Sequence, residues 1–281
     1  MENLSVAQRP TAPAGPVAPG PGPDSDNALL QVLDLDQLDQ NLYQSSFLFA
    51  DPHALYGGQV AAQALRAAGL TVAADRPPHS LHGYFLRAGD ATRPTTFEVH
   101  CDRDGRSFSA RRVVARQGDA VIFTMSASFQ VAESGPGAQV PLAPVTDRPE
   151  EAESYRIPRL FGMEGRHSQP VVDRRAWPTR FWARSTSELG EDPLLHSCVL
   201  TYLSDISTGL FSLNGPGGHA SSSLDHVLWF HRPVRLDGWV LLDLLPQTTA
   251  HGRGFYTGSV WTPDGGLAAS IAQETLFRAP A

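Results

Sequence analysis

Two stretches of the chain are apolar or small at almost every position over three turns or more, and each predicts a helix enclosed on most sides. VAAQALRAAGL begins at Val60 and is stopped by Gly69; LLHSCVLTYLSDISTGL is opened by Pro193 and stopped near Gly209. Each is preceded by a short strand-like run, LDQNLYQSSF before the first and TRFWARST before the second. Each is followed by four alternating or apolar runs that read as strands. In the first half these are SLHGYFLRAGD, TTFEVHCDRDG, SFSARRVVARQGD and AVIFTMSASFQ. In the second they are SLDHVLWFHRPVR, WVLLDLLPQ, FYTGSVWTPDGG and LAASIAQETLFR. The order in both halves is strand, helix, antiparallel meander.

The halves also share local identities. Ser80-Leu81 recurs as Ser223-Leu224, and Gly105-Arg106 with Phe108 recurs at nearly the same spacing as Gly252-Arg253 with Phe255. Repeated order and repeated residues together predict a duplicated α+β unit. The length of 281 residues fits, since about 150 residues per domain gives roughly two. Residues 1–27 hold six prolines among Ala and Gly and read as a disordered tail. Residues 28–132 form the first predicted unit. Residues 133–170, rich in Pro, Gly and acidic residues, read as a linker, and residues 171–281 form the second unit.

Composition narrows the chemistry. All 22 basic residues are arginine, so a Schiff-base lysine, a P-loop lysine and a kinase-type lysine are excluded. A net charge of −7 argues against a nucleic-acid partner, and no apolar run approaches the ~20 residues of a membrane span. Cys101 and Cys198 form no C-x-x-C pair, and the His79/His82 and His226/His231 spacings do not converge on strands, so no metal site is expected. With neither a secretory signal nor a peroxisomal ending, a cytoplasmic location is expected. G-x-S-x-G and G-x-G-x-x-G are both absent, which argues against a serine hydrolase elbow and a Rossmann cofactor site.

Three polar residues sit where the pattern calls for apolar ones. Asp205 is the only carboxylate between Leu194 and Leu210 and shares a helix face with Leu194, Cys198 and Thr201. A sheltered carboxylate is a usual general base, although hydrogen bonds to Ser204, Ser207 or Thr208 would equally explain it. Alternation in the last strand turns Gln273 inward with Leu267, Ala269, Ile271, Thr275 and Phe277, where the first half carries Met125 or Ser126. Such an amide either ties strand to helix or serves a site. The run Ser221-Ser222-Ser223, before LDHVLWFHRP, puts hydroxyls at a strand start and is either a structural loop or part of that site.

The segments LYGGQVAAQAL, HSLHGYFLRAGD, DGRSFSARRVVARQG, IFTMSASFQ, YLSD, SLDHVLWFHRP and ASIAQE, in this order, resemble the TesB-type acyl-CoA thioesterase II family. The resemblance implies a double hotdog fold, in which each half wraps a curved antiparallel sheet around its helix. It implies hydrolysis of acyl-CoA to free fatty acid and CoA with neither metal nor cofactor, coenzyme A being part of the substrate. It further implies a homodimer or homotetramer. Carried over residue by residue, it assigns Asp205, Ser223 and Gln273 to a water-activating set, with Ser223 standing where many relatives have Thr. In that mechanism Asp205 takes a proton from water while Ser223 and Gln273 orient it. Gly57, Gly58 and Gln59, at the start of the first helix, are the expected oxyanion donors. Arg111, Arg112, Arg232, Arg235 and Arg253 are the candidates for the CoA phosphates. Two other readings compete: a hotdog hydratase or dehydratase acting on acyl-thioesters through a paired Asp and His, and a noncatalytic acyl-CoA-binding protein.

Overall fold

Both apolar helices form, and both depart from the bounds that apolar patterning suggests. The computed structural model describes residues 28–51, 53–143, 147–170, 178–214 and 218–278; the tail expected over 1–27 lies outside them. The first half runs α1 (Ala28–Leu33), β1 (Leu35–Asp39), β2 (Leu42–Ser45), α2 (Gly57–Gly69), β3 (Pro78–Phe85), β4 (Thr96–Asp104), β5 (Phe108–Gln117) and β6 (Ala120–Gln130). Within the stretch expected as linker, β7 (Ser154–Tyr155) and β8 (Met163–His167) form. The second half continues with β9 (Arg180–Ser185), α3 (Pro193–Ser204) and a 3-10 helix (Ser207–Leu213). It ends with β10 (His219–Ser223), β11 (Asp225–Phe230), β12 (Val240–Ala250), β13 (Arg253–Trp261) and β14 (Leu267–Arg278).

One antiparallel sheet carries the strands in the order β1-β2-β4-β5-β6-β3-β11-β14-β13-β12-β9-β8-β7, with β10 added on β14. The run β2-β4-β5-β6-β3 is answered by β9-β12-β13-β14-β11, the spatial form of the duplication. The seam is β3 against β11, where Leu81 faces Leu228 and Gly83 faces His226. Side chains on the inner faces of the long central strands close over the helices, as in a hotdog. Phe97, Phe123, Phe129 and Phe181 are fully buried, together with most of α2.

The helices run antiparallel, which decides where the chemistry sits. Gly58 of α2 lies against the Tyr202 carbonyl near the C-terminus of α3, and Gly69 of α2 against Leu194 at the N-terminus of α3. α3 starts cleanly: Asp192 caps it by accepting from the Leu194 N–H at 3.0 Å, and Pro193 takes a position whose N–H is not needed. It stops at Ser204, earlier than apolar periodicity suggests. The Tyr202 carbonyl of its last turn is taken by the Tyr56 hydroxyl, and the Ser204 hydroxyl lies 3.0 Å from the Thr201 carbonyl. Asp205 follows as the C-cap, with φ −81° and ψ 31°, so it points out of the helix end and not along a helix face. The end of α3 therefore delivers a carboxylate to the positive end of α2.

Candidate active site

Asp205 is 3% exposed and accepts hydrogen bonds from the Ser223 hydroxyl and the Gln273 amide, with the Gly58 backbone N–H as a further favourable dipole. The Ser223 hydroxyl donates to Oδ1 at 2.8 Å, and Nε2 of Gln273 donates to the same oxygen at 2.5 Å. Nε2 also donates to Ser223 Oγ at 2.6 Å. The three side chains singled out in the sequence thus meet at one carboxylate oxygen, although they come from the end of α3, from β10 and from β14. Strand geometry brings the last two together: Ser223 pairs with Thr275 across a bulge, and strict alternation keeps Gln273, at 0% exposure, on the inner face.

Burial raises the carboxyl of Asp205 above its ordinary range, and the nearby His226, the hydrogen bonds from Ser223 and Gln273 and the Gly58 N–H dipole only partly oppose it. His226 is fully buried and pushed below its usual value by desolvation, so it is neutral at pH 7. Tyr256, also fully buried, is held far above the ordinary phenol range and stays protonated. Oε1 of Gln273 accepts from the Tyr256 hydroxyl at 2.7 Å and lies 2.6 Å from Nδ1 of His226.

Beside this cluster opens a cavity of about 500 Å³. Its walls are largely apolar, including Leu55, Val60, Phe85, Phe123, Ile206 and Leu276, and Gly57, Asp205 and Ser223 supply polar surface. Gln273 is not part of the lining and lies behind Asp205 and Ser223. The start of α2 must be glycine for the cavity and the carboxylate to fit. A Cβ on Gly57 would stand 2.5 Å from Oδ2 of Asp205 and 2.9 Å from the Phe85 ring. A Cβ on Gly58 would stand 2.6 Å from the Tyr202 carbonyl oxygen.

Several expected binding residues lie elsewhere. Of the three oxyanion candidates, only Gly57 reaches the cavity: Gly58 and Gln59 are not part of its lining, and the Gln59 N–H donates to the Tyr56 carbonyl at 3.1 Å. Arg111, expected at the CoA phosphates, is turned inward and is not part of the cavity lining. It is 2% exposed, and its guanidinium serves Thr71, the carbonyls of Arg103 and Ala110, and Asp104 at 2.9 Å. Arg232 bonds to Gln139, Arg253 pairs with Glu274, Arg112 with Asp102, and Arg235 with Glu191 and Asp237; none of them lines the cavity. The arginines that do line it are Arg87 and Arg159, which the sequence reading missed. Arg87 is exposed and donates to the Val121 carbonyl; Arg159, at φ 64°, is paired with Asp51 at 2.8 Å. The position of Arg87 just past the end of β3 was the one signal available. For Arg159, inside the low-apolar stretch after the first unit, the sequence offered none.

The arrangement matches known proteins along nearly its whole length. Residues 49–130 match the acyl-CoA thioesterase N-terminal domain family, and residues 132–277 match the corresponding C-terminal domain family. Human acyl-coenzyme A thioesterase 8 is 34% identical over 279 residues, covering 88% of this chain and 88% of its own length. The crystal structure of the acyl-CoA thioesterase II TesB2 from Mycobacterium marinum is 36% identical with a TM-score of 0.75, covering 90% of this chain and 98% of that one. A hot dog protein from Alicyclobacillus acidocaldarius, 18% identical, shares the fold with a TM-score of 0.75 over 90% of this chain and 99% of its own. Matched in both halves and over most of its length, the chain belongs to the TesB-type acyl-CoA thioesterase family.

Proposed function

We propose that this chain hydrolyses acyl-CoA to free acid and CoA, with Asp205 as the general base. The observation that carries the reading is a buried carboxylate, held by Ser223 and Gln273 through one oxygen, at the edge of an apolar cavity. The acyl chain occupies the apolar part of the cavity. A water beside Asp205 attacks the thioester carbonyl and gives its proton to the carboxylate. The proton then returns to the departing thiolate. A carboxyl raised by burial is the better base for this step than one with an ordinary pKa. Gly57 and the positive end of α2 face the oxyanion that develops. Water is the only co-substrate required, because a thioester carbonyl is electrophilic and a thiolate leaves readily. Ser223 touches the reacting water from the cavity side, and Gln273 holds both Ser223 and Asp205 from behind.

The exposed Arg87 is the group best placed for the CoA phosphates. A homodimer or homotetramer fits the exposed Tyr84 and Trp229 on the outer face of the β3–β11 seam. A cytoplasmic location fits two unbridged cysteines. The test is release of free thiol from acyl-CoA substrates of increasing chain length, with the products identified by mass. Free acid plus CoA supports the reading; a hydroxyacyl-CoA without thiol release would favour a hydratase, and binding without any product a carrier.

A further inference from the structure

A primary amide beside a carboxylate and a hydroxyl works only one way round. If Gln273 were flipped, its oxygen would face Oδ1 of Asp205, acceptor against acceptor, and Ser223 would lose a donor. In the structure all four hydrogen-bond positions of the amide are filled: both N–H groups by Asp205 and Ser223, and both lone pairs of Oε1 by Tyr256 and His226. The last two residues touch neither the cavity nor the Asp205 oxygens through any hydrogen bond.

We infer that His226 and Tyr256 are positioning residues, two donors clamped on Oε1 of Gln273 that hold its amide nitrogen toward Asp205 and Ser223. The inference rests on the thioesterase reading of the site and extends it to a layer behind it.

The clamp fixes a protonation state. Oε1 accepts only, so the neutral His226 must carry its proton on Nδ1, and Nε2 must then accept from the Ser204 hydroxyl 2.8 Å away, whose hydrogen turns to it from the Thr201 carbonyl at 3.0 Å. A one-directional chain results, from Ser204 through His226 and Gln273 to Asp205. Each member polarises the next in a fully buried setting. The other buried histidine sets the opposite pattern. Nδ1 of His196 accepts from the Leu236 N–H at 3.1 Å, and Nε2 faces the Gly190 carbonyl at 3.0 Å. Two buried imidazoles in one chain are thus expected in opposite tautomers.

The titratable groups around Asp205 are His226 on β11, Tyr256 on β13 and Tyr56 just before α2, and Asp225 faces His226 and Tyr256. Loosening the amide weakens a hydrogen bond that favours the ionised carboxylate. The acid limb of the rate profile then moves to higher pH, an effect that loss of packing alone would not produce.

The test pairs a spectroscopic with a kinetic measurement. In the wild-type chain with 15N-labelled histidine at pH 7, His226 is expected to show a proton on Nδ1 and His196 on Nε2. Tyr256→Phe keeps the ring that packs on Gly209 and removes one donor. It should lower kcat about tenfold, the value of one hydrogen bond, leave KM within about twofold, and raise the acid limb. A His226 protonated on Nε2, or a Tyr256→Phe variant with wild-type kcat and an unmoved acid limb, overturns the inference. If the wild-type chain released no thiol, the thioesterase reading would fall, while the tautomer would still decide whether the clamp exists.

Discussion

Substituting Gly57 by alanine adds a single methyl where Asp205 meets the cavity. Its Cβ would lie 2.5 Å from Oδ2 of Asp205 and 2.9 Å from the Phe85 ring. Non-bonded heavy atoms settle at roughly 3.5 Å, so the carboxylate must retreat by about 1 Å or the ring must move. It cannot retreat freely, because Oδ1 is tied to Ser223 and Gln273. A misplacement of about 1 Å at a reacting group costs on the order of 10²-fold in rate. Overpacking of this kind also removes about 1–3 kcal/mol of stability, or about 2–4 °C in Tm per kcal/mol for a chain of this size. The control is Gly69→Ala at the opposite end of α2, where the new methyl meets the Leu194 side chain, far from Asp205. Thiol release and thermal unfolding would be measured on both variants at a temperature where each is folded. The expected result is a similar fall in Tm for the two, with kcat down about 100-fold only in Gly57→Ala. Wild-type turnover in Gly57→Ala, or an equal loss in Gly69→Ala, would refute the close-approach reasoning.

Because burial holds Asp205 above its ordinary value, kcat/KM should decline on the acid side at a pH above the ~4 of a free carboxylate, as protonation removes the base. A limb at or below that value would contradict it. Arg87→Ala should raise KM for acyl-CoA about tenfold at low salt with kcat little changed. Arg253→Ala, which breaks only the exposed pair with Glu274, should leave both constants unaltered; equal effects from the two would remove Arg87 from the binding reading. Arg111→Met should lower stability by about 2 kcal/mol, because the carbonyls of Thr71, Arg103 and Ala110 lose their donor, and leave KM unchanged. A raised KM with intact stability would return Arg111 to the substrate.

The sequence disclosed most where periodicity was strict. In β14 alternation alone turned Gln273 inward, and burial along the strand follows that alternation around it. In β5 the same alternation groups Arg111 with Ser109, Val113 and Ala115, so its inward direction was readable, and an inward arginine needs internal partners. His226 was equally readable, on one face with Leu228 and Phe230, but a histidine's partner depends on which strand lies alongside, and that is a long-range fact. Helical periodicity puts Asp205 on a helix face, whereas the structure puts it at the C-cap of α3. S-D-I-S-T-G is mostly small residues and holds neither Pro nor Gly before Gly209, so the break between α3 and the 3-10 helix carries no local signal. The Tyr56 hydroxyl, from outside the helix, takes the Tyr202 carbonyl of the last turn, a long-range contact that no local pattern reveals. β7 is only Ser-Tyr and β8 Met-Glu-Gly-Arg-His, with no β-branched residue in either, and they become strands by pairing, β8 on the edge of β9 and β7 on β8.

The most direct test of the central claim is the steady-state rate of thiol release by Asp205→Asn, measured with acyl-CoA across a range of concentrations and normalised to folded protein. If the carboxylate takes the proton from water, kcat falls by about 10²–10⁴ while KM stays close to the wild-type value. An Asp205→Asn variant that keeps wild-type kcat would show that the proton goes elsewhere.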